Sequence, residues 1–215
     1  PASVNNIHLI KTNGKWIEVP EIDLTEKHAE RQGGFKMAFN NNVLFVYATH
    51  GSKTENEWYL NKARFDAETF LYRGNGSIDI ISDKEFKAPD YKDRNIIIYG
   101  NADNNSAWKE LLSHSPVKVT RNKITFGNET YTGSHLGTYF IYPRTDSNTA
   151  SAGVVAGTGS KGMKALYPND YFSGITGFPD VMIFNVDWIK DNPNGIIVSG
   201  FFGNNWSINT GDFAQ

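Results

Sequence analysis

The sequence predicts an α/β domain: a mostly parallel open sheet flanked by helices, with an N-terminal β-hairpin and a small β insertion. Two apolar β-type runs, Asn95 to Tyr99 and Gly153 to Ala156, each break at a glycine and pass into a polar, helix-starting segment. They read NIIIYGNADNNSAWKELL and GVVAGTGSKGMKAL, the grammar of strand, turn and helix. Val43 to Thr49 (VLFVYAT) is a continuous apolar run, as a strand covered on both faces of a parallel sheet requires. Alternation of such runs with helical segments is what right-handed crossovers satisfy.

Taken in order, residues 7 to 19 read as a β-hairpin, because Asn13-Gly14 stands between apolar-alternating arms. Glu26 to Gly34 is charged and ends in a Gly-Gly pair, which predicts a connector and divides the chain into residues 1–34, hairpin and connector, and 35–215, a single α/β domain. After the strand at Val43 to Thr49, a helical pattern runs from about Asn56 to Tyr72. Trp58, Ala63, Phe65, Phe70 and Leu71 supply its buried stripe, and Lys62, Arg64, Asp66 and Glu68 stay solvated. Gly74-Asn75-Gly76 ends that helix. Ile78 to Ile81 and Asn95 to Tyr99 are further strands, and Ala107 to Leu112 is a short helix that Ser106 or Asn105 caps. Short β runs between Val117 and Tyr131 predict the insertion. Thr138 to Tyr142, Ala152 to Ala156, Val181 to Phe184 and Ile196 to Phe202 complete the strands.

The 215 residues, 39% hydrophobic and 13% aromatic, suffice for one buried core. With 21 Lys and Arg against 23 Asp and Glu, the formal net charge is −2 and the signs are interleaved, which argues against nucleic acid and acidic membrane surfaces as partners. No apolar run approaches a membrane span. The absence of cysteine excludes disulfides, thiolate catalysis and Cys-ligated zinc. Pro1 with no Met before it predicts a fragment or processed piece, in which a segment ahead of Pro1 could carry targeting and catalysis.

Chemistry is sought where open α/β sheets place ligands, beyond the carboxyl ends of parallel strands. The candidates for ligand binding there are Gly100, Asn101 and Asp103 after one strand, and Gly157, Thr158, Gly159, Ser160 and Lys161 after another. Gly157 to Gly162 fits GxGxxG, the turn that brings backbone amides to a pyrophosphate, but Pro168 ends the following helix early and Asp180 precedes its strand where a ribose-binding acid should end it. The competing reading is a tight turn packed for structural reasons, and no cofactor is assigned. A hydrolytic set can be assembled from Ser160 as nucleophile, His50 as base and Asp103 as orienter, although no GxSxG elbow presents the serine. The five histidines show no metal-ligand spacing, so no metal site is expected. GFFGNNWS, Gly200 to Ser207, sets aromatics beside asparagines, a composition that stacks and hydrogen-bonds a sugar or, more simply, closes the core.

Four blocks in order, ARFDAETFLYRGNGSIDII, DRNIIIYGNADNNSAW, GVVAGTGSKGM and SGFFGNNWS, together with the IHLIKTNGKWIEV hairpin, resemble the C-terminal accessory region of secreted prolyl-oligopeptidase-like or esterase-like α/β-hydrolase proteins of Bacteroidetes and planctomycetes. In that family the serine nucleophile belongs to an upstream hydrolase domain, whose elbow is absent from these residues, so no catalytic residue carries over. The resemblance implies a non-catalytic accessory domain partnered by a hydrolase domain of the same polypeptide and located in the periplasm or outside the cell. The alternatives are an independent small-molecule or glycan-binding domain, or a hydrolase using the loops at the carboxyl edge.

Overall fold

Strand direction is where the fold departs from the sequence expectation. The computed structural model describes residues 7–190 and 193–215. Among them, eight strands form the central sheet: β3 (Leu44–Tyr47), β4 (Asp79–Ser82), β5 (Ile96–Tyr99), β9 (Leu136–Pro143), β10 (Ser151–Gly157), β11 (Val181–Asn185), β12 (Ile196–Phe201) and β13 (Asp212–Ala214). They lie in the order β13-β12-β11-β9-β10-β5-β3-β4. Only β4, β3, β5 and β10 run parallel, and every pairing from β10 outward through β9 is antiparallel. The mostly parallel sheet is thus corrected to a mixed sheet with antiparallel pairings in the majority. The cause lies in the connections. Residues 144–150 join β9 to β10, too few for the dozen or more that a parallel crossover needs, so the two strands close as a hairpin.

The hairpin and the insertion form where the sequence places them. β1 (His8–Thr12) and β2 (Lys15–Val19) pair from His8↔Val19 to Thr12↔Lys15. Asn13 (φ 50°) and Gly14 (φ 78°) occupy the two left-handed positions that a two-residue primed turn demands. Neither strand joins the central sheet. The insertion is a three-stranded antiparallel sheet of β6 (Val117–Thr120), β7 (Lys123–Phe126) and β8 (Glu129–Thr132).

Three α-helices stand among the described residues: α1 (Lys53–Gly74), α2 (Ala107–Leu111) and α3 (Ser160–Ala165). A capping box starts α1, with Glu55 N–H donating to Ser52 Oγ and Ser52 N–H donating to Glu55 Oε2 at 2.7 Å, which places the start three residues ahead of the expected Asn56. Asn75, left-handed at φ 51°, caps the other end. The stripe that α1 buries is Tyr59, Lys62, Ala63 and Asp66, while Leu71 is exposed. Lys62 and Asp66 are therefore corrected from solvated to buried residues. Asp66 accepts from Lys62 Nζ (2.8 Å), the Tyr99 hydroxyl (2.8 Å) and the Tyr171 hydroxyl (2.5 Å), so this carboxylate is neutralised and hydrogen-bonded inside the protein.

Both faces of the sheet are covered. On one face Tyr99 of β5 meets Phe45 of β3, and Tyr139 of β9 stacks on Phe35 from the 3-10 turn Phe35–Phe39; α1 and α3 pack on this side. On the other face Trp108 of α2 meets Phe140 edge-on, and Tyr142 meets Trp206 and Phe202 of the C-terminal segment. Ile96, Ile97 and Ile98 are wholly buried in β5. Burial of each contributes about 1.5–3 kcal/mol. Buried Asp180, immediately before β11, fastens the connector to the sheet by accepting from Lys27 Nζ (2.7 Å), from Phe202 N–H (2.9 Å) and from Gly34 N–H.

Candidate functional site

At the carboxyl ends of β3, β4, β5 and β10 the loops do converge. Gly100 N–H donates to Val155 O at 3.1 Å and Asn101 Nδ2 donates to Gly157 O at 2.9 Å, so the turn after β5 is bonded directly to the carboxyl end of β10. Asn101 N–H in turn donates to Asn104 Oδ1 at 2.8 Å, and Asp103 N–H to Asn101 Oδ1 at 3.0 Å. These are the turn-closing bonds that Asn and Asp side chains supply.

Further bonds hold part of this edge to the body of the protein. Gly157 N–H donates to the Tyr59 hydroxyl at 3.1 Å, Thr158 N–H to Leu136 O at 2.9 Å and Gly162 N–H to Ser134 O at 3.1 Å. The amides of Gly157, Thr158 and Gly162 are thereby taken by the chain itself, while those of Gly159, Ser160 and Lys161, at the start of α3, have no acceptor among the described residues. Burial pushes the Tyr59 hydroxyl far above its ordinary value, so it remains a neutral donor and acceptor. The glycines of GxGxxG are explained by packing. A Cβ on Gly162 would lie 2.0 Å from Leu136 O, and one on Gly157 would lie 2.6 Å from Met163 N. The structural reading of this motif is the one the geometry supports. Ser160 and Lys161 are exposed at the start of a helix of six residues.

The expected triad is rearranged. His50 has an orienting carboxylate, but it belongs to Asp83: His50 Nδ1 lies 2.7 Å from Asp83 Oδ2, and Asp83 also accepts from Thr49 Oγ1 (2.5 Å) and Ser106 N–H (2.7 Å). His50 is half exposed and Asp83 is buried. Asp103 is engaged elsewhere, accepting from Arg121 N–H at 2.7 Å, while Arg121 Nη2 pairs with Glu55 at 3.2 Å. β5 lies between β3 and β10, so the strand ends that carry His50 and Ser160 stand two spacings, about 10 Å, apart. No hydroxyl or amine donates to the His50 ring among the described residues. The sequence reading missed Asp83, which follows β4 directly as His50 follows β3. Its signal was the polar SDK step after the Ile78 to Ile81 run.

Open clefts lie away from this edge. One of about 920 Å³ separates the hairpin from the body and is lined by residues including Leu9, Trp16, Glu26, His28 and Asn204. Another, of about 510 Å³, lies between the insertion and the C-terminal segment. In GFFGNNWS, Phe202 and Trp206 are buried and Phe201 is exposed, so the core takes two of the three aromatics.

Fold and edge together define a mixed α/β domain whose strand-end loops are bonded to one another. No family profile matches the chain, and no curated protein is significantly similar to it in sequence. No helix among the described residues is long and apolar enough to cross a membrane.

Proposed function

We propose that the chain is a non-catalytic accessory domain of a larger secreted hydrolase, and that its projecting hairpin is the face turned toward the hydrolase domain of the same polypeptide. The observation that carries this reading is the state of the hairpin. Leu9 (53% exposed), Trp16 (65%), Ile10 and Ile17 are uncovered on strands that pair only with each other. An isolated two-stranded hairpin is marginal in water, and this one exposes apolar side chains on both faces, Leu9 and Trp16 on one and Ile10 and Ile17 on the other, which is the state of a surface awaiting cover. The separation of Ser160 from His50 and the engagement of Asp103 by Arg121 support the non-catalytic half of the reading, and the ordered sequence blocks support the hydrolase context. A periplasmic or extracellular location goes with it.

The test compares purified residues 1–215, their Ser160→Ala and His50→Ala variants, and a longer polypeptide that restores the upstream residues, with p-nitrophenyl esters as substrates. Only the longer polypeptide should hydrolyse them. Hydrolysis by residues 1–215 that disappears in either variant overturns the accessory reading. In the longer polypeptide, Trp16→Asp combined with Ile17→Asp should expose the junction to limited proteolysis, and unchanged protection removes the hairpin from the interface.

A further inference from the structure

The 510 Å³ cleft sits on the second face of the sheet, between the β7–β8 turn and the loop that follows β12, with Tyr142 of β9 among its lining residues. Its size falls within the range of about 300–1,000 Å³ usual for small-molecule sites. Three features distinguish it from an incidental gap. Trp206 is held at φ 59°, a left-handed conformation rarely adopted by bulky residues and concentrated at ligand-binding sites. Among the described residues its indole N–H, buried with the rest of the side chain, has no hydrogen-bond partner, and the hydroxyl of the partly buried Tyr142 makes no hydrogen bond. The rim supplies further free polar groups, the side chain of Asn128 and the Nδ2 of Asn205, beside the Glu129 carboxylate.

We propose that this cleft binds a neutral saccharide unit. No lysine or arginine lines it, His114 is its one basic side chain, and the Glu129 carboxylate repels an anionic ligand. The aromatic walls meet edge to face: Tyr142 and Trp206 at 71°, Phe126 and Phe213 at 79°. Walls so inclined cannot sandwich a planar base between parallel faces; Trp206 and Phe126 are buried, so it is the partly exposed ring of Tyr142 or Phe213 that can take the C–H face of a pyranose while its hydroxyls reach neighbouring polar groups. Sugar hydroxyls both donate and accept. They match a set containing a phenol that does both, two amides and a carboxylate, the Trp206 indole N–H lying beneath the surface. Lys27 lies over the Trp206 ring at 5.1 Å and is tied to Asp180, which fixes the indole from the side of the sheet. The inference stands apart from the hairpin reading, since the two surfaces share only Asn205.

The experiment titrates residues 1–215 with maltotriose, cellotriose, xylotriose, chitotriose and adenosine, following saturation-transfer NMR and tryptophan fluorescence. At least one trisaccharide should bind saturably at up to millimolar concentration. Tyr142→Phe, which keeps the ring and removes only the hydroxyl, should then raise its Kd about 3- to 10-fold, the loss of one hydrogen bond. Trp16→Ala, in the hairpin cleft, should leave that Kd unchanged. The proposal is overturned if no trisaccharide binds, if adenosine alone binds, or if binding survives Tyr142→Phe at full strength and is lost in Trp16→Ala.

Discussion

Single residues carry their largest energetic stakes at Asp66. Its carboxylate is the acceptor for an ammonium and two phenols inside the protein, and among the described residues Lys62 Nζ forms no other ion pair, turning to the carbonyls of Tyr167 (3.2 Å) and Pro168 (3.4 Å) while the charge of Asp170 acts on it from farther off. Burial pushes the Lys62 amine down from its ordinary value, and the neighbouring Asp66 charge opposes that push. Asp66→Asn keeps the shape and leaves Lys62 without its counter-charge. Breaking one partner of a buried pair in this way costs about 3–5 kcal/mol, to be read as the loss of unfolding free energy in urea. The pair is i, i+4 on α1, so the sequence contains it, yet charge spacing alone reads equally well as a solvated pair. What decides is the approach of Tyr99 and Tyr171 from remote parts of the chain. His50 and Asp83 were illegible for the same reason, because their contact depends on β4 lying beside β3.

Local chemistry settles whole elements more completely. Asn13-Gly14 fixes the hairpin and SKTE, Ser52 to Glu55, fixes the start of α1, each within four residues. Strand direction needs more, since an apolar run such as VVA in β10 reads the same in either orientation. The decisive clue was connection length, and residues 144–150 are too short for the crossover that a parallel reading required. The hairpin's independence from the central sheet gives a separable outcome. Replacing Asn13 and Gly14 by alanine puts two side chains at positive φ and should abolish hydrogen-exchange protection in β1 and β2. The thermal midpoint of the body should stay where it is. A matching fall in Tm would mean that the hairpin supports the core.

Across the whole molecule, the buried phenols govern alkaline behaviour. Tyr99, Tyr139 and Tyr171 are each held well above the ordinary value of 10.0, first by burial and then by the charge of Asp66. A group whose pKa is raised in the folded state contributes stability fully below its unfolded value and loses it as pH rises beyond. Lys62, lowered on folding, acts with the opposite sign over the alkaline range, one group against these three and the likewise raised, buried Tyr59. Stability should therefore hold up to about pH 10 and fall steeply above it. Urea midpoints measured across that range check this, and Tyr139→Phe should make the fall shallower. Because β10 pairs with β9 across a short loop and with β5 across more than fifty intervening residues, the sheet also has an order of assembly. Closing the short loop costs far less entropy, so the β9–β10 hairpin should be in place at the folding transition state, with β3, β4 and β5 docking afterwards. Ile141→Val in β9 should then slow folding, whereas Ile98→Val in β5 should chiefly speed unfolding. The boundary between antiparallel and parallel pairing would thus separate early from late events in the life of the chain.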